Sequence, residues 1–307
     1  MRRRYATADV FTDRPFAGNP LGVVLDADGL STVQMQAVAN ELGYSETTFI
    51  LPPANQTHTA HVRIFTPGAE VPFAGHPNIG TAVVLARLAA REGRPVPSRV
   101  IFEEAAGLVP VDLIAEEGEV VGAELTAPEA HSRRDLATAQ QAATCLSLTA
   151  DDVLTARHGP EVCSVGLPFL IVELRTREAL RRATPVVREI ARLMPLGGSD
   201  AIWCYTRDIP PDEAGFDVQA RMFSPLDGTG EDPATGSGTA AAAGLWATLS
   251  AQADGELRYR VGQGADMGRP SLLLPRVVKR GGAIVSIHIA GHAVEVMQGT
   301  FELAGEG

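Results

Sequence analysis

The sequence predicts an α+β protein made of two related halves, each a mostly antiparallel sheet wrapped around a buried helix. Three observations predict it. The chain repeats itself once, each half holds one helix with no polar face, and the rest is cut into short β-forming stretches by Gly, Pro and Asp turns.

The repeat consists of three collinear pairs of segments. Gly18-Asn19-Pro20-Leu21-Gly22-Val23-Val24-Leu25 matches Gly166-Leu167-Pro168-Phe169-Leu170-Ile171-Val172-Glu173. Leu42-Gly43-Tyr44-Ser45-Glu46 matches Leu196-Gly197-Gly198-Ser199-Asp200, and Val62-Arg63-Ile64-Phe65-Thr66-Pro67 matches Ala220-Arg221-Met222-Phe223-Ser224-Pro225. Their offsets are 148, 154 and 158 residues (166 against 18, 196 against 42, 220 against 62). The drift runs one way, as loop insertions produce. A period this long is not a solenoid, whose units run about 20 to 50 residues. The halves are placed at 1–125 and 126–307, with the last strands free to pack back on the first half. A functional cleft is expected where the halves meet.

The elements follow in order. Ser31 to Leu42 reads as a helix, with Met35, Val38, Ala39 and Leu42 on one face, a Ser31/Gln34 capping box and Gly43 as its stop. Its twin is expected to start at Thr184-Pro185 and to carry Val187, Ile190, Ala191 and Met194. Strands are expected at Thr47 to Leu51 and Ala201 to Tyr205, then at Val62 to Phe65 and Ala220 to Phe223. The helices Ile79 to Ala90 and Thr239 to Leu249 are rich in small apolar residues. A helix apolar all round is a buried one, so each is placed at the centre of its half. Further strands are expected at Val100–Phe102, Leu108–Leu113, Val120–Leu125, Leu257–Val261, Ser271–Leu274, Ile284–Ile289 and Ala293–Phe301.

Composition narrows the function. With 45% hydrophobic and 21% charged residues in 307, the chain is an ordinary globular one. No apolar stretch reaches the roughly 20 residues that span a bilayer. Met1-Arg2-Arg3-Arg4 leads into Tyr5-Ala6-Thr7-Ala8-Asp9 and not into an apolar signal core, so a cytoplasmic protein without a membrane partner is expected. A net charge of −11 argues against a nucleic-acid partner. Cys145, Cys163 and Cys204 are scattered and odd in number, which fits reduced thiols, and the histidines show no metal spacing.

Two loops carry the chemistry. Ala74-Gly75-His76-Pro77-Asn78 precedes the first central helix and Asp232-Pro233-Ala234-Thr235-Gly236-Ser237-Gly238 the second. In each, glycine exposes backbone N–H groups at a helix start, where the helix dipole favours an anion. A small acidic substrate is therefore the expected partner. Read as residues alone, the glycines equally shape turns, and Ser237 and Asp232 equally cap a helix.

The segments Asp9-Val10-Phe11-Thr12, Phe16-Ala17-Gly18-Asn19-Pro20, Glu41-Leu42-Gly43-Tyr44-Ser45-Glu46-Thr47, Arg63-Ile64-Phe65-Thr66-Pro67, Phe73-Ala74-Gly75-His76-Pro77, Glu231-Asp232-Pro233-Ala234-Thr235-Gly236-Ser237 and Gln263-Gly264 with Met267-Gly268-Arg269-Pro270-Ser271 resemble the phenazine-biosynthesis PhzF-like family in order. The resemblance spans residues 9 to 271. It implies two pseudo-symmetric diaminopimelate-epimerase-like domains, a homodimer, and an isomerase that needs no cofactor. It further implies that Glu46 moves a proton between carbons of a substrate such as trans-2,3-dihydro-3-hydroxyanthranilate. It makes His76 a substrate contact or proton relay and Asp232 the second acidic residue. Gly75, Gly236 and Ser237 become carboxylate donors and Asn19 a further contact.

Epimerases of this fold use two opposed cysteines, which by the resemblance would sit just before those glycines. Here Ala74 and Thr235 stand there, and neither can take a proton from carbon. A glutamate can swing between neighbouring carbons, and an environment that raises its pKa would let it give and take a proton near neutrality. On residue type alone Glu46 is also readable as a solvated turn carboxylate, His76 as a cap or packing residue, and Asn19 as a turn residue. A carboxylate-based amino-acid epimerase or racemase, or a non-catalytic small-molecule binder on the same scaffold, remain open at this point.

Overall fold

Strand pairing defines the architecture of the computed structural model, which describes residues 2–303. The fold is α+β, in two units: residues 2–125 with 290–303, and Thr126–Ile289. The first unit runs β1 (Arg2–Val10), β2 (Asn19–Val24), α1 (Thr32–Leu42), β3 (Glu46–Leu51), β4 (Ala60–Phe65), β5 (Glu70–Val71), α2 (Gly75–Arg91), β6 (Arg99–Glu104), β7 (Gly107–Glu116) and β8 (Glu119–Thr126). The second runs β9 (Ser132–Leu136), α3 (Ala139–Cys145), β10 (Glu161–Ser164), β11 (Pro168–Glu173), α4 (Arg177–Arg182), α5 (Val187–Leu193), β12 (Ile202–Thr206), β13 (Val218–Ser224), β14 (Gly230–Asp232), α6 (Gly236–Leu249), β15 (Gly255–Arg258), β16 (Val261–Gln263) and β17 (Ser271–Arg280). The long β18 (Ala283–Glu302) begins in the second unit and ends in the first.

In the first unit β1 pairs antiparallel with β2, β2 parallel with β3, β3 antiparallel with β4, β4 parallel with β6, and β6 antiparallel with β7. β7 pairs with β8, β8 with β18 and β18 with β1, so eight strands close on themselves. Closure removes the exposed edges that an open sheet would present. Inside lies α2, packed on β1, β2, β3 and β7. The second unit repeats the same sequence of senses. β10 pairs antiparallel with β11, β11 parallel with β12, β12 antiparallel with β13, β13 parallel with β16, and β16 antiparallel with β17. The short β5 and β14 each hang antiparallel on β4 and β13, and α6 packs on β17, β10 and β11.

Small residues make the central helices possible. A Cβ on Gly80 would come within 2.6 Å of Leu21 and 2.7 Å of Val10, and one on Gly244 within 2.3 Å of the His131 ring. Eleven residues of each helix are buried, which matches the absence of a polar face in the sequence. α1 forms as expected: Ser31 and Gln34 make the reciprocal capping box, and Gly43 ends the helix at φ 64°.

Several expectations need correction. α2 and α6 begin at Gly75 and Gly236, so His76 and Ser237 lie in the first helical turn and not in a preceding loop. Pro77 is tolerated there because a first-turn N–H has no helical partner. α5 starts at Val187, not at Thr184-Pro185, because the Thr184 and Val186 amides donate back to Leu146 and Cys145 of the α3 end. Leu257–Val261 is broken into two strands, and Ile284–Ile289 and Ala293–Phe301 are one. Gly291, which falls between them, is a close approach: its Cβ would sit 2.3 Å from Phe11 Cδ1.

The register also corrects one twin. Gly22, Thr47 and Phe65 lie opposite one another across β2, β3 and β4, as Leu170, Ile202 and Phe223 do across β11, β12 and β13. With Phe65 and Phe223 equivalent, Thr47 corresponds to Ile202 and Glu46 to Ala201, not to Asp200. The α5–β12 connection absorbs the difference with two left-handed glycines, Gly197 and Gly198, where α1–β3 has Gly43.

Candidate functional site

In the first unit the site grows from the start of β3. Asn19, fully buried at the head of β2, accepts a hydrogen bond of 3.1 Å from Ser45. That bond fixes the residue before Glu46. The Glu46 side chain is only 19% exposed, and its Oε2 lies 3.4 Å from His76 Nε2. Glu46 is therefore no solvated turn carboxylate.

His76 is the second residue of α2 and is buried. Burial pushes its pKa down to about 3, against the opposing effect of a hydrogen bond to the Pro20 backbone. Pro20 has no N–H, so the ring donates to its carbonyl. The imidazole is thus neutral at physiological pH, and the contact with Glu46 is a carboxyl beside a neutral ring, not an ion pair. Ala74, the N-cap of α2, makes no side-chain cap bond. The space where a Gly75 side chain would lie is open.

The second unit builds a comparable helix start with different side chains. Asp232 ends β14, and the Thr235 hydroxyl donates to its Oδ2 at 2.6 Å. Thr235 is the N-cap of α6 and, like Ala74, gives no cap bond to the helix. Gly236 is buried and Ser237 half-buried in the first turn. Gln263, 1% exposed, ties this loop down. Its amide donates to the Asp232 carbonyl at 2.8 Å and to Thr235 Oγ1 at 3.0 Å, while its Oε1 accepts from the Thr235 amide at 3.2 Å and from Trp203 Nε1 at 3.4 Å.

Both helix starts are braced by the same device. Arg63 grips Glu70 with two bonds of 2.7 and 2.6 Å, and Arg221 grips Glu231 with two of 2.7 and 2.8 Å. Each guanidinium lies over a ring of its own strand, Phe65 at 5.1 Å and Phe223 at 4.8 Å. Bidentate pairing fixes the hairpin that leads into α2 or α6.

The structure thus gathers Asn19, Glu46, Gly75 and His76 at one helix start and Asp232, Gly236 and Ser237 at the other. Sequence reasoning missed Ser45, Thr235, Gln263 and the two Arg–Glu braces. The braces carried a signal, since Arg63 and Arg221 fall in a matched pair of segments. Gln263 carried only its place in a motif.

All three cysteines are buried and free, and burial pushes Cys145 up to about 11 and Cys163 and Cys204 up to about 12. Among the described residues no three His, Cys, Asp or Glu side chains cluster to hold a metal, and no helix is long and apolar enough to cross a membrane.

The family model for phenazine biosynthesis-like proteins matches residues 8–299. An uncharacterized isomerase of Mesorhizobium japonicum is 37% identical, over 97% of this chain and 98% of its own. The trans-2,3-dihydro-3-hydroxyanthranilate isomerase of Pseudomonas chlororaphis is 34% identical, over 97% of this chain and 99% of its own. The crystal structure of a PhzF-family phenazine biosynthesis protein of Bacillus anthracis superimposes with a TM-score of 0.87 at 26% identity, covering 99% of this chain and all of that one. With nearly its whole length matched in sequence and in fold, the chain belongs to the phenazine biosynthesis-like (PhzC-PhzF) family.

Proposed function

We propose that the protein is an isomerase that relocates a proton between carbons of a small cyclic carboxylate, of the class of trans-2,3-dihydro-3-hydroxyanthranilate, with Glu46 as the acid/base. The observation that carries this reading is the 3.4 Å approach of Glu46 Oε2 to the neutral His76 ring, at a helix start that no side chain caps. The substrate named on the relatives at 34% identity supports the class.

As a carboxylate, Glu46 takes a proton from one ring carbon, the electrons shift along the conjugated system, and the same carboxyl returns a proton to a neighbouring carbon. Atoms and electrons balance within the substrate, so no cofactor is required. The neutral His76 spends its one N–H on Pro20 and presents Nε2 as an acceptor to Glu46 when that carboxyl is protonated, without becoming a competing cation. The uncapped first-turn N–H groups at Gly75 and His76 suit a substrate carboxylate, and those at Gly236 and Ser237 offer the same chemistry in their own unit. Asp232, held by Thr235, is assigned the substrate amine. Thiol chemistry is disfavoured by Ala74 and Thr235 at the cysteine positions and by the three buried, protonated thiols.

Incubation with trans-2,3-dihydro-3-hydroxyanthranilate in deuterated water tests the reading. Wild type is expected to place deuterium on a ring carbon of the product, and Glu46→Gln to lose that incorporation while keeping the wild-type melting temperature. Incorporation undiminished in Glu46→Gln would refute the mechanism.

A further inference from the structure

The two units close one equivalent hairpin differently. β6 and β16 hold the same place, each parallel to the strand that carries the Arg–Glu brace and antiparallel to the strand that follows. Their last pairs are Glu104 with Gly107 and Gln263 with Ser271. Residues 105–106 join the first pair, and residues 264–270 the second. The longer connection belongs to the unit whose β14 ends in Asp232. The shorter belongs to the unit with Val71 in that place.

The longer connection packs on the Asp232 loop. A Cβ on Gly264 would lie 2.5 Å from the Pro233 carbonyl oxygen, and Ser271 Oγ donates to that same carbonyl at 3.0 Å. Gln263, at its start, holds the Asp232 carbonyl and the Thr235 amide and hydroxyl, and that hydroxyl donates to Asp232 Oδ2. Gly264 sits at φ 75°, in the left-handed region open to glycine. Its carbonyl accepts from the Met267 and Arg269 amides, at 3.0 Å each, around a 3-10 turn at Ala265–Met267.

The anchor of this turn lies outside it. Arg177, the first residue of α4, is 4% exposed. It grips Asp266, in the middle of the turn, from Nη1 at 2.8 Å and from Nη2 at 3.0 Å. The rest of the guanidinium goes to Glu213, from Nε at 2.9 Å and from Nη2 at 3.1 Å. The Asp208 carboxylate accepts from the Arg177 amide at 2.9 Å, which fixes the helix start that carries the side chain. Arg181, one turn on, comes within 3.7 Å of Glu213 and 3.9 Å of Asp266, so two carboxylates face two cations. Two bidentate pairs on one planar group fix both partners in place, a geometry a lysine ammonium does not reproduce.

We infer that Arg177 is a positioning residue: through Asp266 it sets the 264–270 turn, and through that turn Gln263 and Ser271, which hold the Asp232 loop at the α6 start. The inference rests on the proposed function, in which Asp232 meets the substrate amine. The contrast between the units gives the reason. A hairpin with Val71 in this place has no carboxylate to aim, whereas a displacement of 1 Å at a group that meets substrate can cost about 10²-fold in rate.

The experiment compares Asp266→Asn, Arg177→Lys and Glu213→Gln with wild type by amide hydrogen exchange, calorimetry and turnover of trans-2,3-dihydro-3-hydroxyanthranilate below the melting point. Asp266→Asn and Arg177→Lys are expected to speed exchange of the Thr235 amide, held by Gln263, by about tenfold or more. They should lower kcat/KM by about 10- to 10²-fold. Glu213→Gln breaks the other half of the same fork. It should lower the melting temperature as Asp266→Asn does, and leave Thr235 exchange and turnover within about twofold of wild type, because Asp266 keeps its grip. Should Asp266→Asn prove unstable, Arg177→Lys keeps a cation between the carboxylates and carries the comparison.

Equal effects of Asp266→Asn and Glu213→Gln on Thr235 exchange and on turnover would make the cluster a general support of the unit and overturn the inference. So would a Thr235 amide unmoved in both Asp266→Asn and Arg177→Lys. If no form turns over the dihydrohydroxyanthranilate, the proposed function fails, and the exchange rates still decide whether Arg177 sets the Asp232 loop.

Discussion

Replacing Gln263 by leucine isolates the polar work of one buried side chain, because the two residues are close in volume and little cavity is left. Gln263 makes two well-formed contacts to the Asp232–Thr235 loop backbone, at 2.8 and 3.2 Å, and a long one to Trp203 at 3.4 Å. Leucine removes the Gln263 bonds to the Asp232 carbonyl and the Thr235 amide, at about 1–3 kcal/mol each. The Thr235 hydroxyl keeps Asp232 as its acceptor, and the Trp203 bond is too long to add much. The expected loss is about 3–4 kcal/mol, with the gain from a buried leucine offsetting only part of the upper range. For a unit of this size that corresponds to a melting temperature lower by roughly 6–16 °C. Differential scanning calorimetry measures it, and deuterium incorporation read below the melting point measures the accompanying loss of turnover from a displaced Asp232. A shift of less than about 2 °C would show that the loop does not depend on Gln263, and a full shift with unchanged turnover would show that the loop does not bear on the chemistry.

Other expectations follow from the same geometry. Glu46→Gln should lower turnover by about 10² to 10⁴-fold, the usual worth of a general acid/base, without a matching fall in melting temperature. Because His76 is neutral down to about pH 3, the pH–rate profile of wild type should lack a limb near the ordinary histidine pKa of 6.5, and one that His76→Gln abolished would contradict its buried state. Glu103 is held down to about 2 by the Asn55 and Ala54 amides and by His58, so its contribution to stability is complete above about pH 4.5 and is lost as pH falls toward 2. Melting curves of wild type and Glu103→Gln should therefore converge in acid, and a constant gap would refute this. A thiol reagent at pH 8 should find no reactive cysteine in the native protein and all three after unfolding, given thiols pushed up to about 11 and 12.

Much of the fold was legible because its signals are local and periodic. The capping box at Ser31, the stop at Gly43 and the apolar stretch after Asn78 each report on neighbours within one or two turns. Element ends were less legible where distant backbone decides them, as at Thr184 and Val186, whose amides are taken by the end of α3. In the site, the resemblance singled out Glu46 and His76, but nothing in the sequence reports their 3.4 Å approach across some 30 intervening residues. Gln263 and Glu104, the last residues of the strands that pair parallel with β13 and β4, were invisible as a pair because one is an amide and the other an acid. Only strand register makes them equivalents.

That register separates what duplication kept from what it changed. The Arg–Glu brace, its aromatic ring, the proline two residues before the N-cap, and the uncapped helix start recur in both units. The side chains able to move or hold a proton do not: Glu46 stands opposite Ala201, His76 opposite Ser237, and Asp232 opposite Val71 in the matched hairpins. A brace serves any occupant of the helix start, so both copies are useful unchanged. An acid/base that must take a proton at one carbon and return it at the next needs one carboxyl free to swing, and a second opposed base would favour inversion at a single carbon. Under the proposed function, an unmatched Glu46 is what a one-base proton relocation asks of a doubled scaffold.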